Sequence, residues 1–111
     1  MRQSILETQI EPRTIEYLEI LQEECAEVIQ AISKIKRFGL ASYNPTDPNK
    51  VSNYHHLITE LGDVQGMIKL LSQTDLAFNW IEGSDDPTFL MEEIRKAASK
   101  KMLKVVKYLQ N

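Results

Sequence analysis

The sequence has little of what marks a secreted, membrane-spanning or nucleic-acid-binding protein. Its 111 residues include a single cysteine, Cys25, which cannot form an internal disulfide, so a reducing, cytoplasmic location is expected. No apolar run approaches the roughly 18 residues that a membrane span requires, and the N-terminus has no apolar core typical of a signal peptide. The formal net charge is −3, whereas nucleic-acid-binding proteins usually carry a basic excess. We therefore expect neither a membrane nor a nucleic-acid partner.

The composition is that of an ordinary folded domain. Hydrophobic residues make up 42% of the chain and charged residues 26%, close to the average for globular proteins. The length favours a single domain covering residues 1–111. Charge is unevenly distributed: residues 1–33 hold seven acids and two bases, whereas residues 92–111 hold two acids and six bases. The two ends should attract each other where they pack together.

Apolar residues recur at intervals of three and four in the first half of the chain, which predicts a long helix from about Thr14 to Phe38. One face of this helix carries an apolar seam of Leu18, Leu21, Cys25, Val28, Ile32 and Ile35. Cys25 is expected to be a small core residue on this seam. Pro12 suits the first helical turn and Gly39 the C-terminal stop.

Two further helices are expected after a loop. Residues 39–50, GLASYNPTDPNK, contain two prolines that prevent regular structure. A second helix is predicted over about Asn53 to Gln73, capped by Ser52, and a third over about Pro87 to Leu109, with Asp86 as its N-cap. Residues 3–10 are compatible with a short additional helix.

The predicted fold is therefore all-α, a bundle of three long helices. Three helices bury less apolar surface than four, so we expect self-association, as a homodimer or homotetramer, to complete the bundle. Gly62 and Gly66, in the middle of the second helix, each cost about 1 kcal/mol relative to alanine, and close approach of a neighbouring helix would explain them.

Four carboxylates lie at the edge of the apolar faces rather than opposite them. On a helical wheel Glu24 flanks the seam of the first helix, and Glu27 is its i+3 neighbour. Glu60 lies within the apolar arc of the second helix, with Asp63 as its i+3 neighbour. Two acid pairs thus lean inward, and an isolated buried charge costs several kcal/mol or more.

Metal binding and structural ion pairing could both compensate these acids. Lysines could pair with them at the edge of the bundle, in which case the acids have no chemical role. A hard divalent cation also suits an all-oxygen site, and Mg²⁺ binds through a few carboxylates and substrate phosphate. A di-iron site would require Glu-x-x-His pairs, and the sequence contains none. Mg²⁺, or Mn²⁺, is therefore the expected metal.

Two segments, Glu23-Glu24-Cys25-Ala26-Glu27 and Glu60-Leu61-Gly62-Asp63, form an EExxE…ExxD pattern. This pattern resembles the all-α nucleoside triphosphate pyrophosphohydrolase superfamily, the MazG-like and dimeric dUTPase-like proteins. The similarity extends over roughly residues 14–110 and is greatest to the small single-domain MazG-like branch. The 32 residues between Glu27 and Glu60 exceed the spacing usual in that superfamily, and the extra length lies in the 39–52 loop.

The resemblance implies metal-dependent cleavage of a nucleoside triphosphate between the α- and β-phosphates, giving the monophosphate and pyrophosphate. It assigns metal-binding and catalytic roles to four acids, namely Glu24, Glu27, Glu60 and Asp63. Lys34 and Arg37 match a basic stretch of the family and are candidate phosphate ligands. The wheel of the third helix adds Lys101 and Lys104, which lean inward, although their stems could equally cover apolar surface.

Two other functions remain open on the sequence alone. The acidic and basic helices could form a non-catalytic interaction module that docks on a partner. The chain could also be a metal-dependent nucleotide-binding protein without turnover. His56, at i−4 from Glu60, could support the acids or simply face solvent. The sequence does not name the base or sugar of the nucleotide.

Overall fold

The computed structural model describes residues 10–110, and three long α-helices account for most of them. Helix α1 spans Pro12–Phe38, α2 spans Asn53–Leu71 and α3 spans Phe89–Gln110, with a 3-10 turn at Asp75–Ala77. No strand occurs in this part of the chain, where only an isolated bridge pairs Tyr43 with Ser52. The all-α prediction is confirmed. The short helix considered for residues 3–10 falls almost wholly outside the described residues.

Helix α1 begins and ends where its local sequence predicts. Pro12 is the first helical residue, a position where its missing N–H is not needed. Gly39 follows the last helical residue with φ of +93°, and its N–H donates to the Ile35 carbonyl at 2.8 Å. This left-handed conformation is the one that glycine adopts without steric cost.

The loop between α1 and α2 is held by its own hydrogen bonds. The Asp47 carboxylate accepts from the N–H groups of Asn49 at 2.9 Å and Val51 at 3.1 Å. The Asn44 side chain accepts from both the N–H and the hydroxyl of Thr46, at 3.0 and 2.8 Å. Such local bonds replace the pairing that helix or sheet would provide.

Residues 15–70 form one compact unit, an antiparallel helical hairpin. Asn53, at the start of α2, donates from its side-chain amide to the carbonyl of Gly39 at 3.0 Å and of Lys34 at 3.5 Å. Ser52 caps α2 as predicted, because its hydroxyl accepts from the His55 N–H at 3.1 Å. The described helix ends at Leu71, two residues before the predicted end.

The face of α1 that is turned inward is rotated from the predicted seam. Burial falls on Tyr17, Leu21, Glu24, Val28, Ala31 and Ile35. Ala31 is 5% exposed, whereas Ile32 is 44% exposed. Cys25 is also exposed, so its prediction as a core residue is wrong within this chain. The predicted seam and the observed inward face are adjacent, overlapping stripes on α1. Periodicity alone does not distinguish them, because the choice depends on where the neighbouring helix packs.

Residues 10–14 and 71–110 form the second compact unit. The Asp75 carboxylate accepts from the Glu11 N–H at 2.9 Å and from the hydroxyl of the fully buried Thr14 at 2.5 Å. It therefore satisfies donors at the N-terminus of α1 from a distant position in the sequence. Trp80 is half-buried and donates from its indole N–H to the Asp75 carbonyl at 2.6 Å.

Helix α3 begins at Phe89, two residues later than predicted. Asp86 does accept from Thr88, at 2.9 Å from the N–H and 2.7 Å from the hydroxyl, but these bonds close a turn that precedes the helix. The same bonds lower the pKa of the Asp86 carboxyl.

Two exposed ion pairs lie along α3. Arg95 pairs with Glu92 at 3.4 Å and Lys96 pairs with Glu93 at 3.1 Å, each one helical turn apart. Within residues 10–110 no helix is both long and apolar enough to cross a bilayer.

Candidate metal centre

The candidate site lies within the hairpin of α1 and α2. Glu24 is half-buried because it lies three residues after Leu21 and four before Val28, on the inward face of α1. Glu60 is half-buried on α2 for the corresponding reason, between Leu57 and Val64. Because the helices run antiparallel, the two carboxylates meet near the middle of the hairpin.

Three carboxylates come together at this point. Single oxygen atoms of Glu24, Glu60 and Asp63 all lie within 4.8 Å of one another. Asp63 is exposed, one turn beyond Glu60, so the cluster has two half-buried members and one member open to solvent. Two of the residues come from α2 and one from α1, which ties the cluster to the packing of the two helices.

The electrostatics of the cluster are unfavourable for three negative charges. Partial burial raises the pKa of the Glu24 carboxyl above 4.5, and the neighbouring charges of Asp63 and Glu60 raise it further. Hydrogen bonds to both neighbours favour the protonated form of Glu24. Among the described residues, no Lys or Arg lowers the pKa of Glu24, although the sequence alone left pairing with lysines open.

The donor set fits a hard divalent cation. All three ligand atoms are carboxylate oxygens, the type that Mg²⁺ and Mn²⁺ prefer, and none of the soft or imidazole ligands of other metals is in the cluster. Mg²⁺ typically keeps several waters, so three protein oxygens with one side open to solvent are sufficient.

Glu27, the fourth predicted ligand, is not in this cluster. It is exposed, one turn after Glu24 and about 60° further round α1. The structure therefore brings together three of the four predicted acids, and the role of Glu27 stays a prediction. Glu23 is also exposed.

A groove of about 500 Å³ runs beside the acids and is lined by Glu24, Asp63, Gly62, Gly66, Met67 and Leu70. A Cβ atom built on Gly62 or Gly66 would meet no atom within 4 Å. The predicted close approach of a helix to these glycines is therefore not made by any described residue of the same chain. The glycines instead leave open space next to Asp63.

The four predicted phosphate-binding bases lie at different places. Lys34 lines a pocket at the C-terminal end of α1. Arg37 is exposed, with its guanidinium carbon 5.5 Å from the centroid of the Phe38 ring. Lys101 and Lys104 are exposed on α3, in the other compact unit, and their proposed contact with phosphate stays a prediction.

The pocket that Lys34 lines is formed largely by the 39–52 loop. Its volume is about 780 Å³, and its lining residues come from the end of α1, the loop and the start of α2: Lys34, Phe38, Ser42, Tyr43, Asn44, Pro45, Asp47, Asn53 and His56. The cluster of Asn and Pro in the loop signalled irregular backbone but not a cavity. The hydrogen bonds from the Asn49 and Val51 N–H groups lower the pKa of Asp47, and His56, exposed at the pocket, lowers it further.

Comparison with known proteins identifies the family. The MazG nucleotide pyrophosphohydrolase domain matches residues 13–108, which is most of the chain and includes all three clustered acids. The comparison with curated proteins found no match, and neither did the comparison with solved structures. The chain belongs to the MazG nucleotide pyrophosphohydrolase family.

Proposed function

We propose that this member of the family is a Mg²⁺-dependent cytoplasmic enzyme that cleaves a nucleoside triphosphate between the α- and β-phosphates. The products are the nucleoside monophosphate and pyrophosphate. The single observation that carries the proposal is the convergence of three carboxylates from two helices, within 4.8 Å, in a chain of this family. The family match spans both compact units, so we assign residues 1–111 to one functional domain.

Each acid has a distinct position in the proposed site. Glu24, Glu60 and Asp63 would hold the Mg²⁺, which supplies positive charge to the phosphate oxygens and lowers the pKa of a bound water. Glu24 and Glu60 lie half-buried on the inward faces of α1 and α2. Asp63 faces the open side, where the glycines leave room for a phosphate chain. Glu27 is one turn away and is proposed as a further ligand in the loaded site.

The direct test is pyrophosphate release from each canonical and deoxynucleoside triphosphate in the presence of Mg²⁺. We expect Glu24→Gln and Glu60→Gln to reduce release at least about 100-fold, as loss of a metal ligand should. Glu19→Gln, at an exposed position on α1 outside the cluster, is the matched control and should leave the rate unchanged. No release from any triphosphate, or full release by Glu60→Gln, would refute the proposal.

The pyrophosphate assay and a thermal melt together separate the two alternative functions. A nucleotide-binding protein without turnover would gain thermal stability from Mg²⁺ and nucleotide but release no pyrophosphate. A non-catalytic interaction module would show neither effect. Chelation with EDTA, followed by a thermal melt, distinguishes these cases without any knowledge of the correct base.

Lys101 and Lys104 are proposed to bind the departing pyrophosphate, with Lys34 and Arg37 as further phosphate ligands. Replacing Lys101 and Lys104 together by alanine should raise KM at least about 10-fold, since a hydrogen bond to a charged group contributes about 1.5–3 kcal/mol. The control is the double alanine variant of Lys100 and Lys107, which are also exposed on α3. Equal effects of the two double variants would indicate general electrostatic attraction and no specific clamp.

Self-association is also part of the proposal. The second half of α3 exposes large apolar side chains, each more than half exposed: Met102, Leu103, Val106, Tyr108 and Leu109. Exposed apolar surface of this extent is typical of an interface between subunits. Light scattering after size exclusion should therefore report a homodimer or homotetramer, and a monomer at micromolar concentration would contradict this.

A further inference from the structure

The loop pocket has the size and position of a small-molecule site. Its volume of about 780 Å³ lies within the roughly 300–1,000 Å³ that such sites occupy. It belongs wholly to the hairpin, between the end of α1 and the start of α2. The acids of the candidate metal centre do not line it, so it is a separate cavity on the same pair of helices.

The pocket is pre-formed by backbone pairing. The Asn53 N–H donates to the Ser42 carbonyl at 2.8 Å, the Tyr54 N–H donates to the Leu40 carbonyl at 3.0 Å, and Tyr43 bridges to Ser52. Asp47 ties the far side of the loop to Asn49 and Val51. A ligand would therefore meet a fixed surface and would not have to order the loop on binding.

The lining combines aromatic rings with polar groups. Phe38 is 62% exposed and Tyr43 is 43% exposed, so both rings are accessible although both lie in the pocket wall. The Lys50 ammonium lies 6.0 Å from the centroid of the Tyr43 ring, which helps to hold that ring in place. Lys34 and Asn44 add hydrogen-bond donors to the same wall. Flat aromatic ligands with polar edges, such as nucleobases, suit this combination.

The distance to the acids suits one ligand that reaches both places. His56 lines the pocket and lies four residues before Glu60 on α2, about 6 Å along the helix axis. The i, i+4 relation places both residues on the same side of the helix. A molecule could place an aromatic end in the pocket and an anionic end at a metal-loaded acid cluster. Its middle part would then lie along α2.

We propose that the loop pocket binds the nucleoside end of the substrate, with the base stacked on Tyr43 and Phe38. The proposal rests on the proposed function, because it identifies the substrate's phosphates as the group held at the acid cluster. It gives the long 39–52 loop a role in binding the base and so in selecting among nucleotides.

The test uses nucleosides, which carry no phosphate and require no metal. Binding of adenosine, guanosine, cytidine, uridine and thymidine to the metal-free protein is measured by NMR titration. We expect at least one to bind, and Tyr43→Ala to weaken it at least about fivefold. Tyr43→Phe keeps the ring and should retain binding. Tyr54→Ala is the matched control, because Tyr54 is 49% exposed on α2 but does not line the pocket.

The outcomes separate this inference from the proposed hydrolysis. Absence of binding by any nucleoside, or equal weakening by Tyr43→Ala and Tyr54→Ala, would overturn the pocket assignment. Should Tyr43→Ala fail to fold by circular dichroism, Phe38→Ala takes its place with the same expected weakening. Tyr43-dependent nucleoside binding without pyrophosphate release would refute the hydrolysis and support the pocket. Pyrophosphate release with a KM that neither Tyr43→Phe nor Tyr43→Ala changes would support the hydrolysis and overturn the pocket assignment.

Discussion

Asn53 joins three parts of the hairpin, and its replacement gives the sharpest test of how that hairpin is held. The residue is 6% exposed. Its side-chain amide donates to the carbonyls of Gly39 at 3.0 Å and Lys34 at 3.5 Å, both at the C-terminal end of α1. Its backbone N–H bonds the loop at Ser42. One side chain therefore links the end of α1 to the start of α2.

Asn53→Ala should destabilise the fold by about 2–3 kcal/mol. The shorter hydrogen bond contributes about 1 kcal/mol and the longer one less, and truncation of a side chain that is only 6% exposed also leaves a void. The backbone bond to Ser42 survives the substitution, so the loop should keep its path. Urea denaturation followed by circular dichroism, at equal protein concentrations, measures the difference in the free energy of unfolding.

Asn53→Asp should cost more than Asn53→Ala at neutral pH, because it places a carboxylate against two carbonyl oxygens that the amide contacts at 3.0 and 3.5 Å. The favourable dipole at the start of α2 offsets only part of this repulsion. Folding would raise the pKa of this new carboxyl. The extra penalty is therefore complete at neutral pH, declines as the pH falls through the folded pKa, and is absent below the unfolded pKa of about 3.9.

The matched control for both variants is Asn49→Ala, an exposed asparagine in the same loop whose side chain can be removed at a cost within about 0.5 kcal/mol. The reasoning fails if Asn53→Ala loses less than about 0.5 kcal/mol. It also fails if the alanine and aspartate variants have the same stability at every pH.

Three other outcomes follow from the structure. Gly39→Ala should lower the free energy of unfolding by about 1 kcal/mol, because φ is +93° there, and an unchanged urea midpoint would contradict this. Asp75→Ala should lower the free energy of unfolding by about 2–3 kcal/mol through loss of the bonds from Glu11 and Thr14. If Asp75→Asn is as stable as the parent while Asp75→Ala is not, the charge of Asp75 is unimportant. The raised pKa of Glu24 predicts that the metal-free protein loses stability as the pH rises above 4.5 through the folded pKa. Melting in EDTA from pH 4 to 8 should show this loss, Glu24→Gln should reduce it, and identical pH profiles would refute the assignment.

The helix boundaries were predictable where a single residue type decides them. Pro12 and Gly39 fix the ends of α1 through their own backbone chemistry, and Ser52 caps α2 with its hydroxyl. The predicted start of α3 is two residues early, because the residue types Asp86 and Pro87 also favour a turn. The prediction of Asp86 as the N-cap is wrong, because its carboxylate accepts from the Thr88 N–H in a turn and the helix begins only at Phe89.

The candidate site was predictable for the residues that local periodicity places inward. Glu24 and Glu60 flank apolar stripes, and the structure half-buries both. Periodicity could not separate Glu27 from Glu24, since the two differ by only about 60° on α1 and only the position of α2 distinguishes them. The loop pocket could not be predicted from the sequence, for a different reason. Its walls depend on long-range backbone bonds such as Asn53 to Ser42, which leave no pattern in the sequence.

The carboxyl of Glu24 opposes folding of the hairpin. Its position on α1, between Leu21 and Val28, continues the inward apolar stripe, where an apolar side chain would be favoured. The chain instead carries a carboxyl that folding brings against two other acids, which raises its pKa. Local choices that oppose the fold are expected at functional sites. A structural ion pair would place a cation against Glu24, yet the influences on its pKa come from burial and from the two neighbouring acids. Either a proton or a metal cation would relieve this repulsion, and three carboxylate oxygens from two helices are the ligands that a hard divalent cation prefers. This is the physical reason to prefer a metal centre over a solvated acidic edge.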